Sequence, residues 1–230
     1  MLQTRYEHHR KLYTDGSKAE DSSTGAGFMS EHFIENMNFE EKWKLNDCSS
    51  IVSAELSAIQ KACTWIHNTM PKGNYVILTD SKTSLYLIVN RKLSSYEKST
   101  GMIQKEMLKF AEEGWNVHLQ WIPGHSDVIG NDAADRLANE GRTSVDSNYH
   151  VELKDIYKEI ERKAKYRWQL RWENVQAYCP LGAIKVNTGN WSWTRHKSRK
   201  LDVYMTQLRL GCARVNQSRH FQNCLIMSIS

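Results

Sequence analysis

Residues 75–85 read YVILTDSKTSL, an apolar run that ends in an aspartate and leads into a helix-forming segment. A short apolar run of this kind is typical of a central strand that is covered on both faces. Asp80 therefore stands at the end of a predicted buried strand, and Ser81 is suited to cap the helix that follows. This order of strand, acid and helix predicts an α/β domain.

The segments before this strand predict a meander of three strands and then a helix. Residues 11–14 lead as a strand into Asp15, and residues 25–30 and 33–45 have the pattern of two more strands. Apolar residues then recur at helical spacing, at Leu56, Ile59, Cys63 and Ile66. This spacing predicts a helix with one buried face.

The segments after Asp80 continue the alternation. Helices are predicted at residues 81–93 and 99–113, a last strand at 117–121, and a short helix from residue 132 to about 140. The polar stretch TSVDSNYH, from residue 143 to 150, has the composition of a linker. We therefore expect one domain at residues 1–145 and a basic, partly helical C-terminal extension at residues 146–230.

The charge differs between the two parts of the chain. Residues 1–150 carry 16 Lys and Arg against 20 Asp and Glu, a net charge of −4, whereas residues 151–230 carry 15 against 6, a net charge of +9. A cationic segment suits a phosphate backbone, although a solvated tail with no specific ligand has the same composition. A long amphipathic helix is predicted here, with Leu153, Ile156, Tyr157, Ile160, Ala164, Trp168, Trp172 and Val175 on one side.

Four tryptophans in the extension are open to two interpretations. Trp168, Trp172, Trp191 and Trp193 are suited to stacking on nucleic-acid bases. The helical spacing of the first two favours packing against the protein instead.

Composition excludes several classes of protein. With 40% hydrophobic and 25% charged residues and only 3 Pro, the chain is typical of a globular protein. We expect no membrane partner and an intracellular location, because no stretch approaches the roughly 20 apolar residues of a membrane span and the first fifteen residues lack a secretory signal. The five cysteines are scattered and form no CxxC pair, so no disulfide framework and no zinc site are predicted.

Four carboxylates follow predicted strands or lie on the helices beside them, at Asp15, Glu55, Asp80 and Asp135. Taken singly, each also fits a helix cap or a turn. Taken together they predict a metal site, because carboxylates crowded at one edge of a sheet repel each other unless they share a cation. Hard oxygen ligands favour Mg²⁺, with Mn²⁺ as substitute, and paired ions are the recurrent solution for phosphodiester hydrolysis.

The motifs around these acids are YTDGS, SAELSAI, ILTDSKTSL and WIPGHSDVIGNDAADRLA. In this order and spacing they resemble the ribonuclease H family, type 1, over about residues 10–142. The resemblance implies the ribonuclease H-like fold, a five-stranded mixed sheet with helices on both faces. It also implies endonucleolytic cleavage of the RNA strand of RNA:DNA hybrids, leaving a 3′ hydroxyl and a 5′ phosphate.

Carried over position by position, the resemblance assigns the metal ligands to Asp15, Glu55, Asp80 and Asp135. It also assigns a catalytic role to His125, which matches the mobile histidine of the family and implies proton transfer near the leaving group or product release. A histidine with a pKa near 6.5 suits either task. Asp132 is a second-rank candidate, for which helix entry is favoured over metal binding.

This sequence departs from cellular members of the family in its substrate-binding positions. The loop after Asp15 lacks their Asn-Pro-Gly pattern, and Ile51 and Val52 stand where an Asn or Gln often contacts the groove. The remaining candidates for sugar or phosphate contacts are Ser17, Ser50, Ser81 and Lys82.

The same features resemble ribonuclease H domains of non-long-terminal-repeat retrotransposon reverse transcriptases, which implies a reverse transcriptase as a possible partner. Only His220 and Cys224 match the zinc knuckle that follows in such elements, so no zinc is expected. Two alternatives stay open beside an active nuclease. One is a catalytically silent module that binds nucleic acid or a reverse transcriptase, and the other is an integrase or exonuclease of the same superfold.

Overall fold

Five strands form one mixed sheet in the computed structural model, which describes residues 5–34, 37–90, 96–124, 128–144, 150–178, 182, 185–189 and 198–209. The strands are β1 (Arg10–Lys18), β2 (Thr24–Ile34), β3 (Met37–Leu45), β4 (Asn74–Thr79) and β5 (Asn116–Trp121). Their order in the sheet is β3-β2-β1-β4-β5. The first three strands are antiparallel neighbours, whereas β4 is parallel to both β1 and β5. The predicted meander and the predicted central strand are both present.

Six helices accompany the sheet in the described residues: α1 (Ile51–Thr69), α2 (Lys82–Val89), α3 (Glu97–Glu112), α4 (Ile129–Gly141), α5 (Leu153–Gln176) and α6 (Arg199–Arg209). Ser50 caps α1 and Ser81 caps α2, each through a hydroxyl that accepts a hydrogen bond from the backbone three residues on. The predicted start of α4 at residue 132 was wrong. The helix begins at Ile129, since the carbonyl of Val128 accepts the first backbone hydrogen bonds. No described side chain caps this end.

The helices lie on both faces of the sheet. Successive residues of a strand point to opposite faces, so each face has buried side chains that pack against helices. Leu12 and Ile77 belong to one buried cluster, together with Ile59 and Ile66 of α1. Tyr13 and Val76 belong to a second cluster, which includes Ala134 and Leu137 of α4. Each face of the sheet therefore has its own core.

The start of α5 packs against the amino ends of two other helices. Asp155 is 1% exposed, and its carboxylate accepts hydrogen bonds from the Ser50 backbone N–H at 2.9 Å and from the Ser53 hydroxyl. Glu152, just before α5, accepts a bond from the Ser99 backbone N–H at 2.9 Å. An acid at a helix amino end is favourable because unpaired N–H groups and the helix dipole converge there. The first turn of α5 thus belongs to the sheet-containing part of the chain.

The chain divides into two units, one ending at Glu159 and the other beginning at Ile160. The predicted boundary between residues 1–145 and 146–230 falls beside residues outside the described ones and stays a prediction. Among the described residues, no helix combines the length and the apolar character needed to cross a bilayer.

The predicted long helix of the extension is present, but most of its apolar stripe is exposed. Trp168 is 62% exposed, so the expected packing of this residue was wrong. Trp172 does contact the protein, since its indole N–H donates to the carbonyl of Lys185 at 3.0 Å. Trp191, Trp193, His220 and Cys224 lie outside the described residues.

Candidate metal centre

Asp15 and Asp80 meet because their strands run parallel and in register. Thr14 of β1 pairs with Thr79 of β4. The next residue on each strand is the acid, so Asp15 and Asp80 stand side by side at the carboxyl end of β4. Neighbouring strands lie about 4.8 Å apart, which places the two carboxyl groups within reach of one ion.

Glu55 reaches the same place because α1 touches the backbone of β1. A Cβ atom on Gly16 would lie only 2.5 Å from the backbone nitrogen of Glu55. Glycine is therefore required beside Asp15 for the helix to approach this closely. The close approach puts the second turn of α1, and the Glu55 carboxylate, over the strand end.

The three acids form a buried cluster of oxygen ligands. One carboxylate oxygen from each of Asp15, Glu55 and Asp80 lies within 4.8 Å of the others. Asp15 is 8% exposed and Glu55 is 7% exposed, while Asp80 is half-buried. Glu55 Oε2 is buried and has no hydrogen-bond partner within the described part of the chain. A buried carboxylate oxygen without a donor is costly, and a cation at this position would satisfy it.

The crowding of the acids changes their proton affinity. Burial, followed by the negative charges of Asp80 and Asp135, raises the pKa of Asp15 to about 7, against the opposing hydrogen bond from Gly16. Burial, followed by the charges of Asp15 and Asp80, raises the pKa of Glu55 well above its ordinary value. Both causes penalise the ionised form, and a bound divalent cation would remove both penalties.

Asp135 adjoins this cluster from α4. After burial and the charge of Asp80, the negative charge of Asp135 also raises the pKa of Asp15, so the two carboxyl groups are neighbours. Asp135 is half-buried and lies outside the group of three acids that are mutually within 4.8 Å. Asp132, the second-rank candidate, is exposed in the first turn of α4, where helix entry was predicted.

Gly124, the residue just before His125, comes close to the acids. A Cβ atom on Gly124 would lie 2.6 Å from Asp80 Oδ2, so the backbone just before the histidine touches the carboxylate. His125 itself lies outside the described residues, and its role stays a prediction.

Each of the predicted substrate-binding residues interacts with another part of the protein. The Ser17 hydroxyl donates to Asn139 Oδ1 at 2.6 Å. Ser50 and Ser81 cap their helices, and Lys82 Nζ lies 4.1 Å from the centroid of the Trp121 ring. Their contacts with a nucleic acid stay predictions.

Sequence reasoning missed two residues that support the acids. The indole N–H of Trp121 donates to the backbone carbonyl of Asp80 at 3.0 Å, which fixes the turn after β4. Asn139 Nδ2 donates to Asp135 Oδ1 at 3.0 Å. The spacing of four residues along α4 was a visible signal for the second contact.

Comparison with known proteins decides the family. A family model described as RNase H matches residues 7–143, which is more than half of the chain. The chain belongs to the RNase H family. Family membership confirms the resemblance seen in the motifs, and the five-stranded mixed sheet with helices on both faces confirms the predicted ribonuclease H-like fold.

Two similar proteins each match only a part of this chain. Ribonuclease H1 of Rattus norvegicus is 37% identical over 97 residues, covering 38% of this chain and 34% of that protein. A solved structure of the foamy viral protease-reverse transcriptase in complex with RNA/DNA hybrid is 24% identical, with a TM-score of 0.45, and the match covers 59% of this chain and 20% of that one. The finer resemblance to retrotransposon reverse transcriptases stays a prediction.

Proposed function

We propose that this chain hydrolyses the RNA strand of RNA:DNA hybrids as a metal-dependent endonuclease. The observation that carries the proposal is the meeting of Asp15, Glu55 and Asp80 within 4.8 Å in a chain of the RNase H family. The three acids come from three different segments, and burial together with the neighbouring negative charges raises the pKa of Asp15 and Glu55. Such clusters of perturbed carboxylates are typical of functional sites.

The ligands suit Mg²⁺, with Mn²⁺ as substitute, because the group consists of hard carboxylate oxygens. Asp15, Glu55 and Asp80, joined by Asp135, would hold the ions. When bound, two divalent ions supply activation of the attacking water and stabilisation of the charge on the leaving 3′ oxygen. The buried Glu55 Oε2 supports this assignment, since no described residue supplies the donor that a purely structural carboxylate would have.

The chain's own contribution to the reaction includes proton release from the ligands. Because the pKa of Asp15 is raised to about 7, this carboxyl group carries its proton through most of the acidic range. A ligand must be ionised, so cation binding below pH 7 displaces a proton. The affinity for the cation is therefore expected to fall as the pH drops below 7.

Substrate selection is assigned to side chains that border the acids. Contacts to successive 2′-hydroxyls in a wide minor groove distinguish an RNA strand from DNA. Ser81 follows Asp80 directly and caps α2, whose amino end favours phosphate. Lys82 adds a positive charge at the same edge, held against the Trp121 ring.

His125 is assigned to proton transfer near the leaving group or to product release. The close approach of Gly124 to Asp80 supports this assignment, because it brings the preceding backbone to the edge of the acid cluster. The pKa of a histidine lies in the range where both protonation states are accessible.

The proposal is tested with four labelled duplexes and the purified chain in Mg²⁺, Mn²⁺ or chelator. The duplexes are a hybrid labelled in RNA, the same hybrid labelled in DNA, double-stranded RNA and double-stranded DNA. Asp80→Asn removes a proposed ligand, and Asp132→Asn is the matched control because it removes an exposed acid of α4. We expect loss of the hybrid's RNA strand only, abolished by the first variant and retained by the second.

The opposite result would be a folded protein that binds the hybrid without cleaving it in either metal. That outcome would transfer the function to a silent binding module. The substitution of Ile51 and Val52 at groove positions is the feature that would explain it.

A further inference from the structure

Asn139 links the fourth acid to the strand that carries the first one. Its Nδ2 donates to Asp135 Oδ1 at 3.0 Å, and its Oδ1 accepts from the Ser17 hydroxyl at 2.6 Å. Ser17 is two residues beyond Asp15 on β1 and therefore points to the same face of the sheet. Asp15 in turn adjoins Asp135, whose negative charge contributes, after burial and the charge of Asp80, to the raised pKa of Asp15. A closed circuit of side chains thus joins β1 and α4.

The orientation of the Asn139 amide is fixed by its two neighbours. The amide NH₂ faces Asp135, since Nδ2 is the donor of the amide group and the carboxylate oxygen Oδ1 is the acceptor. The amide oxygen then faces Ser17, whose hydroxyl can donate. Both ends of the amide are matched in this orientation, and a flipped amide would set an oxygen against the Asp135 carboxylate.

The seating of α4 makes this circuit possible. Ser17 pairs with Gly25 on β2. A Cβ atom on Gly25 would lie 2.4 Å from both the carbonyl oxygen of Ala138 and the nitrogen of Arg142. The last turns of α4 therefore rest directly on the backbone beside Ser17, and this contact holds Asn139 at a fixed height over β1.

We propose that Asn139 is a positioning residue, which turns Asp135 toward Asp15 as a ligand for the second divalent ion and uses Ser17 as its anchor. The inference rests on the proposed function. It gives Ser17 a role different from the predicted contact with substrate. Asp135 requires such support because it is half-buried and lies outside the group of three acids that are within 4.8 Å of one another.

The expected effect is on metal affinity. A half-buried carboxylate that loses its donor is free to turn away from a neighbouring negative charge toward water. Outer partners of metal ligands typically change metal affinity by about 10-fold to 100-fold. Asn139→Ala should weaken binding of the second ion by about this factor, and Ser17→Ala should act in the same direction with a smaller effect because the amide keeps its bond to Asp135.

The test measures Mn²⁺ binding to the full chain without substrate, by calorimetry and by electron paramagnetic resonance of the free ion. The variants are Asn139→Ala, Ser17→Ala, Ser17→Thr and their double alanine combination. Ser17→Thr keeps the hydroxyl and should bind Mn²⁺ as wild type does. Arg136→Ala is the control on α4, because its side chain pairs with Glu40 and Glu140 on the exposed side and does not touch the circuit. The Mg²⁺ concentration for half-maximal cleavage provides a second readout.

We expect weaker Mn²⁺ binding and a higher Mg²⁺ requirement in both alanine variants, less than additive in the double variant, with Arg136→Ala unchanged. Wild-type metal affinity in Asn139→Ala would overturn the inference, as would a Ser17→Ala variant that changes only the KM for the hybrid. A wild-type chain that binds no Mn²⁺ would instead overturn the proposed function. A fall in melting temperature alone, with unchanged metal binding, would make the circuit structural and also overturn the inference.

Discussion

Replacing Asp80 with Asn should stabilise the metal-free protein at pH 8 while it weakens metal binding. The carboxylate oxygens of Asp15, Glu55 and Asp80 lie within 4.8 Å of one another. At that separation and an effective dielectric constant of about 20, each ionised pair repels by about 3 kcal/mol. Asn keeps the shape of the side chain and removes the charge, so it removes the repulsion with both neighbours.

The pH dependence of the effect follows from the pKa of Asp15. Burial, and then the charge of Asp80, raises this pKa from 3.8 to about 7 in the folded protein. A raised pKa contributes stability that is fully present below the unfolded value and is lost as the pH rises through 7. The full difference corresponds to about 4 kcal/mol, and we assign about 1–3 kcal/mol of it to the repulsion that Asp80→Asn relieves at pH 8.

Thermal melts in chelator at pH 5 and pH 8 measure this effect. At roughly 2–4 °C per kcal/mol, the variant should melt about 2–12 °C above wild type at pH 8, with a smaller difference at pH 5 where the neighbours carry protons. Saturating Mg²⁺ should stabilise wild type by mass action, by about 2.7 kcal/mol at a hundred times Kd, and should stabilise the variant less. Asp132→Asn is the control, since this acid is exposed and apart from the cluster. A variant less stable than wild type at pH 8 in chelator would refute the reasoning.

Three further predictions concern the parts that hold the site in place. Gly16→Ala should cost about 1–3 kcal/mol in urea unfolding and abolish cleavage, because its Cβ would lie 2.5 Å from the Glu55 nitrogen; wild-type activity would contradict the close approach. Asp155→Ala should cost about 2–4 kcal/mol in the same assay, since a buried carboxylate leaves the amino end of α1, whereas Asp155→Asn keeps an acceptor and should cost less. Deleting residues 160–230 should weaken hybrid binding. It should also reduce the slope of the logarithm of the binding constant against the logarithm of the salt concentration, by about 0.9 for each lost phosphate contact. An unchanged slope would assign the tail to another role.

The sequence was sufficient for the sheet and for the convergence of Asp15, Glu55 and Asp80. The apolar run into Asp80, the Ser81 cap and the helical spacing from Leu56 to Ile66 are local signals, and the structure contains each of these elements. The start of α4 was misplaced because the helix begins at Ile129 without a capping side chain, so the local signal was missing.

Contacts between distant segments were beyond the reach of sequence patterns. Asp155 lies in a basic helix, where an acid is usually exposed to solvent. In the structure it is buried against the amino end of α1. Ser17 was predicted as a candidate for a sugar or phosphate contact, and no sequence pattern indicated that its hydroxyl donates to Asn139, 122 residues away. Such partners depend on how α4 and α5 pack, which is decided by tertiary contacts and not by local propensity.

The most direct test of the account is single-turnover cleavage of a hybrid labelled in its RNA strand, measured across Mg²⁺ concentrations for wild type, Asp15→Asn and Asp132→Asn. The account predicts metal-dependent cleavage by wild type, a loss of about a thousandfold or more in Asp15→Asn because a charged ligand is removed, and near wild-type rates in Asp132→Asn. Cleavage that persists in chelator, or equal rates in the two variants, would contradict the assignment of the buried acids as the metal-binding centre of a hybrid ribonuclease.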